Sequence, residues 1–259
     1  MRSFFGRLIV GIVVLGVVSI FLINVGAWPR LVEAVGVGFG TETAKHVDEF
    51  GKTSKAIGDD LQDTYERAKR GDYANLDYDE FAEIIGTIRT TGAERIPEYR
   101  RAAFGEPWED VDGNGCDTRN DVLARDLTKI TKDTRCRVLT GTLHDPYTGK
   151  TIPFTRGEKT SSDVQIDHVV PLAWAWANGA SGWDQKTRVR FANDMANLIA
   201  VDGPTNTSKS AKGPALWTPP NDAYDCRYVA QFSMIVIKYD LTLPDDDRAA
   251  ISRTMSACR

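Results

Sequence analysis

Residues 164–214 read VQIDHVVPLAWAWANGASGWDQKTRVRFANDMANLIAVDGPTNTSKSAKGP, and this stretch decides the fold. Val164 and Ile166 alternate with polar Asp163, Gln165 and Asp167, the period-two pattern of a half-buried strand. Pro171 keeps that strand short, because proline cannot donate to a ladder. Residues 183–194 set polar and basic side chains along one helical face. Asn197 opens the short apolar run Asn-Leu-Ile-Ala-Val-Asp, which reads as a second strand. Gly203-Pro204 breaks it, and residues 205–212 read as a short polar helix. The order is strand, helical excursion, strand, helix.

Asp167-His168-Val169-Val170-Pro171, Asn197-Leu198 and Asn206-Thr207-Ser208-Lys209 fall in that order on those elements. The set resembles the HNH endonucleases, or ββα-metal nucleases, and among them the exported proteins whose nuclease domain is like that of GmrSD-type restriction enzymes. The likeness extends to GCDTRNDVLARDL at 115–127, to DPYTGK at 145–150 and to the Trp-x-Pro-Pro that begins at Trp217. It covers roughly residues 98–259 and implies an α+β fold. That fold has a ββα-metal core with surrounding helices and an extra β-hairpin.

The residue types suit phosphodiester hydrolysis, which needs an activated water and a cation beside the developing negative charge. A neutral imidazole near its working pH makes His168 the natural general base. The resemblance gives Asn197 the part of orienting it. Asp167 and the side-chain oxygen of Asn206 are hard ligands suited to Mg²⁺ or a similar divalent cation such as Mn²⁺, which often takes few protein ligands and keeps its waters. Lys209 lies one helical turn after Asn206 on the same face and is expected to contact a phosphate. Arg119, inside the resembling 115–127 block, is a second candidate for phosphate contact. Neighbours on a regular strand point to opposite faces, so Asp167 and His168 share a site only if the strand ends or distorts there.

Flanking segments add a frame. Residues 110–121, DVDGNGCDTRND, open like an EF-hand loop but carry Asp121 at the twelfth position, where a bidentate Glu is usual. The plainer expectation is a Gly-rich turn leading into a helix over 121–132. Residues 136–155 read as a hairpin around Asp145-Pro-Tyr-Thr-Gly, with His144 beside the turn as a surface residue. Trp174, Trp176, Trp183 and Phe191 are expected to be core, the first two in a buried turn. Lys186, Arg188 and Arg190 form a basic face that suits either solvent or nucleic acid.

Four cysteines, Cys116, Cys136, Cys226 and Cys258, lie in this region with no Cys-x-x-Cys spacing, so disulfides are expected rather than zinc. Of the three possible pairings the expected one is Cys116–Cys136 with Cys226–Cys258. The second would tie a helix over 224–239 to a last helix after Pro244.

Residues 8–28 are uncharged and apolar, long enough to cross a bilayer, and Arg2 and Arg7 precede them. The expected organisation is an N-terminal transmembrane anchor or signal sequence (1–30), a helical stalk (31–96) and a nuclease domain (97–259). The stalk reading rests on Val47, Phe50, Ile57, Leu61 and Tyr65, then on Phe81, Ile84, Ile85 and Ile88. The nuclease domain would face the exterior as a single-pass membrane protein, or be secreted if the segment is cleaved. The net charge of −4, with 21 Lys/Arg against 22 Asp/Glu from Glu98 onward, excludes a global basic field. Nucleic acid, DNA foremost, is the expected partner through local patches, and no protein partner is legible. The competing function is a non-catalytic cell-surface binding module on the same scaffold.

Overall fold

Strand pairing divides the molecule into two small sheets packed on one helix. The computed structural model describes residues 78, 85, 86, 88–90, 96–158 and 160–258. A single 3-10 turn, Arg101–Phe104, precedes helix α1, Thr118–Asp126. Strands β1 (Leu127–Lys132), β2 (Val138–His144) and β3 (Thr151–Thr155) form an antiparallel sheet in the order β1-β2-β3. Strand β4 (Val164–His168) leads into α2 (Leu172–Ala177) and α3 (Gln185–Ala192). Strand β5 (Leu198–Asp202) returns antiparallel to β4 and runs straight into α4 (Gly203–Lys209). Helices α5 (Asp225–Lys238) and α6 (Asp245–Ala257) close the chain.

The expected strand, helical excursion, strand, helix order is present, and the architecture is α+β. Two local expectations are corrected. The helix expected over 121–132 stops at Asp126, and its second half is β1. Leu127, Thr128, Ile130 and Thr131 suit a pleated surface, and β2 offers a ladder that pairs Leu127 with Leu143. The turn expected around Trp174 and Trp176 is the helix α2, which starts directly after Pro171. Both tryptophans are buried as expected, and so is Phe191. Their indole N–H groups are satisfied: Trp174 donates to Asp247 and Trp176 to the Pro97 carbonyl, each at 2.8 Å.

The hydrophobic core sits between α1 and the two sheets. Val122 and Leu123 of α1 meet Leu127, Val138, Leu143 and Phe154 of the first sheet and Val164, Ile166, Leu198 and Ala200 of the second. Each fully buried side chain of this size contributes about 1.5–3 kcal/mol. Polar bonds fix the helix between the sheets. Asp117 caps it by accepting from the Asn120 N–H at 2.8 Å. The Asn120 side chain in turn accepts from the Val138 N–H at 2.9 Å. Arg125 donates to the Met195 and Leu198 carbonyls, both at 2.6 Å, which hangs β5 on the far end of the helix.

The loop at 110–121 closes on itself. The Asp110 carboxylate accepts from the backbone N–H groups of Gly113, Asn114 and Gly115, and these bonds, that of Gly115 above all, hold its pKa below the usual carboxylate value. The Asn114 amide nitrogen donates to Asp112 and Asp121.

The expected membrane segment at 8–28 and most of the expected stalk lie outside the described residues. Among the described residues no helix is long and apolar enough to cross a membrane. Ile85, from the second expected stripe, is buried. Arg248 of α6 donates to the carbonyls of Ile85 and Ile88, and Leu243 donates to that of Arg89.

Both disulfides pair as expected, Cys116–Cys136 and Cys226–Cys258, with Cα atoms 5.5 and 5.7 Å apart. The first joins the approach to α1 to the β1–β2 turn, and the second joins the start of α5 to the end of α6. Closing loops of this length contributes about 3 kcal/mol each in the chain-entropy account. The Cys226→Ser/Cys258→Ser variant should therefore melt roughly 10 °C below the parent in a thermal scan. An unchanged midpoint would contradict this.

Candidate active site

The site forms where β4 ends. The β4–β5 register pairs Asp167 with Ile199 and His168 with Leu198. One residue later the ladder gives way to a side-chain clamp. The Asn197 carbonyl accepts from the Val169 N–H at 2.8 Å. Its side-chain oxygen accepts from the Val170 N–H at 2.8 Å, and its amide donates back to the Val170 carbonyl at 3.3 Å. Asn197 is completely buried, so each of these groups is satisfied within the protein. The chain leaves the sheet here and Pro171 opens α2. Distortion at the strand end thus lets Asp167 and His168 line one cavity of about 460 Å³.

Asn197 was expected to orient the imidazole directly. Its side chain is instead engaged by the Val170 peptide, two residues after His168. The imidazole partner is the Ala192 carbonyl at the end of α3, 2.8 Å from His168 Nε2. A carbonyl only accepts, so Nε2 carries the proton and Nδ1 holds the lone pair. Burial pushes the His168 pKa down to about 4, so the ring is neutral at neutral pH. The Trp108 ring lies nearly parallel to it, with an interplanar angle of 14° and centroids 6.1 Å apart.

Asp167 is held from beneath. Its Oδ2 accepts from the Tyr147 hydroxyl at 2.5 Å and from Lys209 Nζ at 2.7 Å. Burial pushes the carboxyl up, and the adjacent ammonium and hydroxyl oppose that shift. Burial likewise pushes the Lys209 ammonium down, against the pull of Asp167. Lys209 was expected to reach a substrate phosphate. It is instead completely buried, and its remaining bond goes to the His168 carbonyl at 2.7 Å. The helix face that carries Asn206 and Lys209 is real, but α4 packs on the β4–β5 pair, so the residue one turn on lies under the site rather than over it.

Asn206 remains at the cavity wall, half-buried. Its amide donates to the Gln165 side chain at 2.9 Å, which leaves its oxygen as a free acceptor type. Arg119 lines the same cavity, with long contacts of 3.3 and 3.5 Å to the Val164 and Ser161 carbonyls. Burial and the nearby Arg156 charge lower its pKa. Tyr99 and Arg101 complete this wall.

Among the described residues no cluster of three or more His, Cys, Asp or Glu side chains gathers to hold a metal. The donor set is one carboxylate and one carboxamide, the sparse kind that suits a hydrated Mg²⁺ ion. Arg188, in the basic face of α3, is structural: it donates to the carbonyls of Ala103 and Trp183. His144 is exposed beside its turn, as expected.

Residues 117–252 match the family model described as GmrSD restriction endonucleases, C-terminal domain. The chain belongs to this family. The GmrSD C-terminal domain family is of HNH nuclease type, in agreement with the resemblance carried by Asp167-His168, Asn197 and Asn206. A relative from Arthroderma benhamiae, described as an uncharacterized secreted protein, is 36% identical over 174 residues, which are 66% of this chain and 80% of the relative. No solved structure matches this GmrSD-type chain.

Residue reading did not single out Tyr147, Gln165, Trp108 or Arg101. Tyr147 lies within the DPYTGK block, so a signal for it was present. The Ala192 carbonyl left no trace in residue type, because any residue supplies a carbonyl.

The depressed His168 pKa has a stability consequence. In the unfolded chain the ring titrates near 6.5, and in the folded chain at about 4. Between those values the unfolded chain binds a proton that the folded chain does not. The contribution is fully present above pH 6.5 and is lost as pH falls toward 4, by about 3 kcal/mol. Denaturant titrations should show a steeper loss between pH 6.5 and 4 for the parent than for His168→Ala. Equal slopes would show that the imidazole is not buried neutral.

Proposed function

We propose that this chain is a metal-dependent endonuclease that hydrolyses phosphodiester bonds in nucleic acid, DNA foremost. The observation that carries the reading is the bond between His168 Nε2 and the Ala192 carbonyl, with His168 lining a cavity shared with Asp167, Asn206 and Arg119. A neutral imidazole held this way can take a proton from water as that water attacks phosphorus. The phosphorus–oxygen bond to the leaving strand end then breaks, and the leaving oxygen takes a proton from solvent.

Asp167 Oδ1 and the Asn206 side-chain oxygen would hold the divalent cation, Mg²⁺ or Mn²⁺. When bound, it supplies positive charge beside the phosphate. Both residues line the cavity: Asp167 is anchored there through Oδ2, and Asn206 through its amide nitrogen, so that its oxygen is not the atom bonded to Gln165. Arg119 would add a guanidinium for a non-bridging phosphate oxygen. The ββα-metal core assignment rests on β4, β5 and α4 arranged around these residues. Asp167 and His168 end β4 and Asn206 lies on α4, while Arg119 reaches the cavity from α1.

Action outside the cytoplasm is supported by the two disulfides, by the apolar segment at 8–28 and by the description of the relative as secreted. We assign residues 1–30 as a membrane anchor or export signal and 31–96 as the segment joining it to the enzyme.

The purified protein should nick and linearise plasmid DNA with Mg²⁺ or Mn²⁺ and stop on addition of EDTA. His168→Ala should lower the rate at least ~100-fold while keeping the parent circular-dichroism spectrum. Undiminished cleavage by that variant would sink the assignment of the base. Absence of cleavage of both DNA and RNA by folded parent protein would favour the binding-module function.

A further inference from the structure

Two buried residues meet beneath the site without touching the cavity that holds the chemistry. Tyr147 and Lys209 are both completely shielded from solvent. Both donate to one oxygen of Asp167, at 2.5 and 2.7 Å. Lys209 also donates to the carbonyl of His168 at 2.7 Å, so one ammonium grips two consecutive residues of β4. The grip is itself held in aromatic packing. The Trp217 ring lies 5.9 Å from Lys209 Nζ, and Tyr147 packs edge-on against Trp217 and Tyr228. Backbone bonds fix the base of Tyr147: Asp145 accepts from the N–H groups of Tyr147, Thr148 and Asp202. The DPYTGK turn of the first sheet is thereby tied to the end of β5 in the second.

We propose that Tyr147 and Lys209 are positioning residues that set the geometry of Asp167 as a cation ligand relative to the base His168. Two donors on Oδ2 restrict rotation of the carboxylate and fix its plane relative to the cavity that Asp167 lines. Holding the His168 carbonyl with the same ammonium fixes the peptide between ligand and base. A buried lysine at this position is therefore not a misplaced phosphate contact. Its job is to keep two adjacent side chains at a set separation. The inference rests on the proposed reading of Asp167 as a cation ligand.

Tyr147→Phe removes one hydroxyl and keeps the ring packing. Tyr228→Phe is the matched control, because Tyr228 is buried in the same aromatic cluster but its hydroxyl has no hydrogen-bond partner among the described residues. Mn²⁺ alone is titrated into the full-length protein and read by electron paramagnetic resonance, beside thermal melting and plasmid cleavage. Tyr147→Phe should bind Mn²⁺ roughly 10–100-fold more weakly and lose kcat with little change in KM for DNA. Tyr228→Phe should match the parent in every readout. Lys209→Met should show the larger Mn²⁺ defect. If it does not fold, Lys209→Arg, which keeps a cation with altered geometry, takes its place with the same expectation.

Parent-like Mn²⁺ affinity and kcat in Tyr147→Phe, with Asp167→Asn binding Mn²⁺ poorly, would overturn the positioning role alone. Parent-like Mn²⁺ binding in Asp167→Asn would overturn the ligand reading and this inference with it. Equal losses in Tyr147→Phe and Tyr228→Phe would also overturn it, by tracing the effect to cluster packing.

Discussion

The bidentate grip of the Asn197 carboxamide on the Val170 peptide is the constraint on which the site depends. Strand geometry sends consecutive side chains to opposite faces. A reaction that needs a carboxylate and an imidazole from adjacent positions can be built only where that geometry is broken in a controlled way. Backbone groups released from a ladder must find partners inside the protein, or the break is too unfavourable to persist. Asn197 supplies a donor and an acceptor at the needed spacing, and its own carbonyl continues the ladder for one more residue. The start of α2 at Leu172 follows directly on that release.

Beneath it, burial governs the electrostatics. Burial pushes the Asp167 carboxyl up and the Lys209 ammonium down, and the attraction between the two groups opposes both shifts. The Ala192 carbonyl opposes the desolvation of the His168 ring without outweighing it, and the ring stays unprotonated at neutral pH. Two titratable groups side by side in sequence thus have different partners: an ammonium and a hydroxyl for Asp167, a carbonyl for His168.

Much of the fold was legible because its signals are local. The period-two alternation at 164–167, the apolar run after Asn197 and the Gly203-Pro204 break each specify one element. Gly203 illustrates the precision involved: a Cβ there would fall 2.0 Å from the Ser162 carbonyl oxygen, so the break is also a close approach of two backbones. The misread stretches were those in which tertiary context outweighs local pattern. Residues 127–132 carry no helix-stop residue, and their strand exists because β2 lies alongside. Lys209 was correctly placed on the face with Asn206, but spacing along a helix does not tell which side of that face another sheet will cover. The role of Asn197 was reached by likeness, and its bonds to the Val170 backbone could be seen only in three dimensions. The partners that tune His168 and Asp167 come from 24 residues onward and 20 residues before respectively, beyond any local window.

The bonds from Arg248 to the carbonyls of Ile85 and Ile88 bear on how the protein could ever be shed from whatever lies ahead of it. A protease cutting before residue 85 would release a body with these contacts whole. A cut a few residues later would strip the acceptors from a largely covered guanidinium in the first turn of α6. Ile85, Ile88 and Arg89 are thus held by Arg248 and by the Leu243 N–H, and a released enzyme would need to keep them.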